Sequence, residues 1–186
     1  MRLSVLAATL TLFASAALTG ATGADMSSTA LILYRGDGFN IAYKPGWTVD
    51  PHYVRDTSPP IHGVSFTVPA SLVTGTNLGS DTKLSVEHVD GPCSASRFLD
   101  AAENGHNVTE DGRTFSVATQ GDAGAGNRYE ETVYALADGN TCYGIHEFIH
   151  YAAIENFDPG SVRAFDRVAI QQAFDTMRRS FTITKR

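Results

Sequence analysis

The feature that most constrains this chain is an every-other-residue apolar pattern that recurs between turn-forming residues. Val64, Phe66 and Val68 alternate with small polar residues, and Leu84, Val86 and His88 alternate with Ser85 and Glu87. Thr141, Tyr143, Ile145, Ile149 and Tyr151 share one parity, with Glu147 as the charged exception. A period of two is the signature of strands that bury one face. Leu31–Tyr34 and Phe39–Tyr43 flank Arg35-Gly36-Asp37-Gly38, which reads as a hairpin, and Pro45-Gly46 turns the chain into Trp47. Asp138-Gly139 is a two-residue turn signal, so the segment after it is expected to run back along Tyr129–Leu136.

The period changes near the end. Phe165, Ala169, Ala173, Phe174 and Met177 recur at three- and four-residue spacing, with charged and amide side chains between them, which predicts an amphipathic helix over 165–179. A second helix is expected from Ser94 to about Glu103, with Ser94 as its cap and Phe98, Leu99 and Ala102 facing inward. Phe181 and Ile183 then read as a short terminal strand. The fold expected from this pattern is α+β, a central and mainly antiparallel sheet flanked by two main helices.

The chain has 186 residues, enough for one domain with a substantial core. Residues 1–24 read as a secretory signal peptide, leaving a single domain over 25–186. Met1-Arg2 supplies a positive start, Leu3–Leu18 an apolar run short for a membrane span, and Thr22-Gly23-Ala24 the small residues of a cleavage site. The mature protein is therefore expected to be exported, periplasmic or extracellular, with no stable membrane span. The net charge of −6, with no basic stripe beyond Arg178-Arg179 and Lys185-Arg186, argues against a nucleic-acid partner. Two cysteines, Cys93 and Cys142, are expected to form a disulfide in an oxidising compartment, since no Cys-x-x-Cys spacing points to redox chemistry.

"GFNIAYKPGWTV" (Gly38–Val49) and the closing "FDTMRRSFTI" (Phe174–Ile183) resemble PsbP-like domains, which include a lumenal photosystem II subunit and small exported bacterial proteins. The resemblance implies a central antiparallel sheet with helices on both sides and a role in binding or assembly. It transfers no catalytic residue.

His146-Glu147-x-x-His150 spells the zinc-peptidase motif. On a helix, four residues advance about 6 Å, so both imidazoles reach one ion while the glutamate polarises its water. On a strand, four residues advance about 13 Å and the rings cannot share a metal. The alternation, the preceding Asp-Gly turn and Gly144, which costs a helix about 1 kcal/mol relative to Ala, favour the strand. A zinc site would also need a third ligand after His150, for which Asp166 is the best placed.

The glycines of Gly121–Gly126 lack the Gly-Lys-Ser/Thr ending of a phosphate loop, and His52, His62, His88 and His106 show no ligand spacing. Tyr34, Tyr43, Trp47 and Tyr53 are candidates for a binding surface if they gather outside the core. The sequence thus reads as a non-enzymatic, cofactor-free binding or assembly module of the cell envelope, its partner an envelope protein or small ligand. The alternative is a small zinc metallopeptidase with His146, His150 and Asp166 as ligands and Glu147 as general base.

Overall fold

The structure is a computed structural model, and it describes residues 30–184. The signal-peptide reading of residues 1–24 lies outside the described residues. The chain forms strands β1 (Ile32–Arg35), β2 (Phe39–Tyr43), β3 (Thr48–Arg55) and β4 (Ile61–Thr67), then a single helical turn α1 (Ala70–Val73). Strands β5 (Lys83–Asp90), β6 (Glu103–Glu110), β7 (Arg113–Gly124), β8 (Asn127–Asp138) and β9 (Thr141–Ala152) follow, then helix α2 (Arg167–Ser180) and the short β10 (Thr182–Ile183).

The strands build two sheets. One has the order β1-β2-β10, the other β3-β4-β5-β9-β8-β7-β6, and every strand pair in both is antiparallel. This corrects the expected α+β arrangement of one central sheet between two main helices. The protein is mostly β, a sandwich in which the smaller sheet stacks on the larger, with α2 beside it. Among the described residues only α2 is a full helix. Residues 95–98 make one 3-10 turn, and Leu99 returns to extended backbone at φ −131°, so the helix expected from Ser94 to Glu103 is not formed. Phe98 and Leu99 do face inward, but they do so from a turn that the sheet beneath holds in place. The chain from Glu103 then pairs with β7.

The main core lies between the sheets. Phe39 and Ile41 from β2 meet Val64, Phe66, Leu84, Val86, Tyr143 and Ile145 from the large sheet, while α2 adds Ile170, Phe174 and Met177. Helix α2 starts where Asp166 accepts a 2.9 Å hydrogen bond from Ala169 N, satisfying one of the free donors of the first turn. It ends on Arg178 and Arg179, cations that favour the negative end of the helix dipole.

A smaller apolar cluster covers the opposite face of the large sheet. Ala95, Phe98 and Leu99 pack on Ile61, Ala118, Val133, Ala135 and Cys142. The Cys93–Cys142 disulfide pins this segment to β9, closing a loop between residues 49 apart. Gly144 makes the close approach possible, since a Cβ there would stand 2.8 Å from the Phe98 ring. Chain-entropy arguments give a bridge of this span about 4 kcal/mol. The Cys93→Ser/Cys142→Ser double variant is therefore expected to lose about 2–4 kcal/mol in urea unfolding. An unchanged midpoint would show that packing alone holds the 95–99 segment.

Candidate functional site

Residues 141–152 are extended, as their alternation predicts, and the extension disperses the zinc-peptidase motif. Strand β9 pairs with β5 on one side and β8 on the other along nearly its whole length. His146 and His150 consequently lie on one face of the sheet and Glu147 on the other.

His146 sits in a buried ionic network. Its Nδ1 lies 3.1 Å from Glu87 Oε1 and its Nε2 lies 2.7 Å from Glu131 Oε2. Glu87, fully buried, also accepts from Ser85 Oγ at 2.7 Å and pairs with Arg55 Nε at 3.3 Å. Arg55 in turn donates to the carbonyl of Phe98, tying the network to the 95–99 segment. Gly63, the β4 residue between Tyr53 and Glu87 in register, has no room for a side chain, since a Cβ there would run into the Val86 carbonyl. Burial alone would lower the His146 pKa, but the bonds to Glu131 and Glu87 outweigh it and hold the imidazole above its ordinary value. Burial would likewise raise Glu87, but the imidazole, Arg55 and Ser85 hold it below the usual carboxylate range. Both nitrogens of His146 are thus committed to carboxylates.

His150 is committed too. Its Nδ1 lies 2.6 Å from Asp81 Oδ1, its Nε2 lies 3.0 Å from Asn127 Oδ1, and its ring stacks on Tyr129 at 4.5 Å. On the far face, Glu147 accepts from Gln171 Nε2 at 2.9 Å and lies 3.7 Å from Arg178 Nε. Arg178 also pairs with Asp175 at 2.8 Å and with Glu110. Asp166 is occupied as the α2 cap. The four residues of the zinc alternative therefore serve four separate structural contacts, and Glu147 cannot reach water on a metal held by the histidines.

The aromatic quartet divides as well. Trp47 is core, packed against Phe174 at 5.9 Å, and Tyr43 packs on Phe66 at 5.2 Å. Tyr53 sits 5.7 Å from Lys83 Nζ on the network face, where burial and the Glu87 charge push its hydroxyl up to about 12. Tyr34, half-buried against Phe66 and Phe39, borders an open cleft.

That cleft, about 370 Å³, lies where the β1–β2 hairpin meets β3, β4 and β5. Tyr34, Phe39, Val54 and Val64 supply apolar lining, and His52, His62 and His88 bring imidazoles to it. The sequence spacing of these histidines hides their proximity. His62 and His88 are cross-strand partners in the β4–β5 ladder, and only strand register reveals this. Glu87 and Glu131 were equally hidden, because each reads as the polar side of an alternating strand, and only strand pairing shows that both face His146. Among the described residues, the hollow of similar volume at His106 has no aromatic wall, and the one at Tyr129 and Tyr151 has no imidazole.

No protein-family model matches the chain, and neither does any curated protein. Among solved structures, a protein of Bacteroides thetaiotaomicron VPI-5482 aligns over 83% of this chain at 10% identity and a TM-score of 0.48. The chain spans about half of that protein's length, 48%. These findings give no link to PsbP-like domains.

The two networks give stability a defined pH dependence. Burial raises Glu147 to about 7 from its ordinary 4.5. The folded state then binds more protons than the unfolded state between about pH 4.5 and 7, so this group lowers stability as pH rises through that window. His146 acts in the same direction above its ordinary 6.5, its contribution being complete below that value and lost as pH rises through its elevated folded value. Glu147→Gln is expected to raise stability at pH 8 relative to the parent and to flatten the curve between pH 5 and 7. Parallel curves for the two proteins in chemical denaturation would contradict the assignment.

Proposed function

We propose that this protein is an exported, non-enzymatic binding module of the cell envelope whose ligand occupies the cleft between the β1–β2 hairpin and strands β3–β5. The single observation that carries the reading is the cleft itself, apolar-walled with converging polar groups. Its volume falls in the range that suits a small ligand. Two of the three strands beneath it, β4 and β5, are interior to the seven-stranded sheet, so His62, Gly63, Val64 and His88 stand on rigid backbone.

The export part of the reading is supported by the disulfide. Among the described residues, no helix is long and apolar enough to cross a membrane. The non-enzymatic part is supported by the separate engagements of His146, Glu147 and His150, which leave the one catalytic motif in the sequence without a reacting centre.

The reading is tested by amide chemical-shift mapping against a library of small polar and aromatic fragments. Binders are expected to perturb residues 36–39, 52–54, 62–64 and 88 ahead of all others. Binders confined to other surfaces, or turnover of any substrate that survives blocking the cleft at the exposed Val54 with Val54→Arg, would overturn it.

A further inference from the structure

Three of the chain's six histidines line this one cleft. His62 on β4 and His88 on β5 are directly opposed in the antiparallel ladder, and both are exposed. Directly opposed residues hold their Cβ atoms about 4.5–5.5 Å apart and project from the same face. Two nitrogens bound to one tetrahedral Zn²⁺ at about 2.0–2.1 Å stand roughly 3.3 Å apart. Two such imidazoles reach that spacing by side-chain rotation, with no movement of the backbone.

No ring hydrogen bond has to be broken for the rotation. Among the described residues neither ring makes a hydrogen bond, and the ring contact of His88 is with Tyr143 at 6.4 Å. This distinguishes the pair from His146 and His150, whose nitrogens all face oxygens. His52 enters the same cleft from β3, at the register shift between Asp50 and Tyr53. A bulge of this kind re-aims a side chain out of the regular ladder.

We propose that the cleft takes one divalent transition-metal ion of the Zn²⁺ or Cu²⁺ class on His62 and His88, with His52 as a further ligand and water completing the shell. Imidazole donors select these ions over Mg²⁺ and Ca²⁺, which prefer oxygen. Among the described residues no three metal-ligating side chains already converge on a point. The ion therefore draws the rings together, and binding is weaker than at a preformed four-ligand site. The inference rests on the binding reading in using the same cleft, and it names the chemistry of the ligand.

The test is isothermal titration of untagged, chelator-free full chain with zinc sulfate in a non-coordinating buffer, paired with histidine-selective NMR. A saturable binding of about one equivalent is expected, with shifts of the His62 and His88 ring signals. His62→Ala and His88→Ala are each expected to weaken it at least about tenfold, His52→Ala by less, and the distant, exposed His106→Ala not at all. Absence of binding up to millimolar zinc, or undiminished binding by the His62→Ala/His88→Ala protein, would overturn the metal site. Fragments that still perturb the cleft in that case would leave the binding reading standing; failure of both would remove both.

Discussion

The pairing of β9 along both its edges is the constraint on which the rest depends. A central strand has its backbone donors and acceptors satisfied by its neighbours, so no local rearrangement to a helix is open to it without leaving those groups unpaired in the interior. Once β9 is extended, parity does the rest. Tyr143, Ile145 and Ile149 enter the core between the sheets, and Cys142, Gly144 and His146 share the opposite face, to which the disulfide tethers residues 95–99. A motif that reads as catalytic in one dimension is divided between two faces in three.

Each face then carries its own ionic network, Arg55–Glu87–His146–Glu131 on one side and Glu147–Arg178–Asp175 with Glu110 on the other. Buried charges of this sort add little net stability, because desolvation offsets most of the Coulomb attraction. Cohesion comes from the apolar clusters around them. The networks instead restrict the alternatives, since a slip of one residue in β9 would present His146 to the apolar core and Ile145 to Glu87 and Glu131.

Much of the local structure was legible. The β1–β2 hairpin, the turn at Gly139 with φ +59°, the helix ending near Arg179 and the disulfide all follow from short-range patterns. The layering was not, because β10, far from the β1–β2 hairpin in sequence, joins it in a separate sheet that no periodicity encodes. The expected helix after Ser94 failed for a related reason. Its apolar spacing fits a helix, but Phe98 and Leu99 gain their burial from the sheet below, and a single turn suffices to deliver them. The candidate site was the least legible part, since the His62–His88 pairing and the burial of Glu87 depend on register across strands.

The functional account follows from this division of labour. The two histidines with a sequence signature are used to build the protein, and three of the four without one, His52, His62 and His88, stand at the open cleft. Its central claim is that β9 is a strand, and cross-strand nuclear Overhauser contacts measure that directly. The account predicts Hα–Hα contacts at alternate pairs from β9 to both β5 and β8, in the registers Ser85 opposite His146 and Val133 opposite His146. Helical Hα(i)–HN(i+3) contacts through residues 145–152, with the cross-strand set missing, would contradict it.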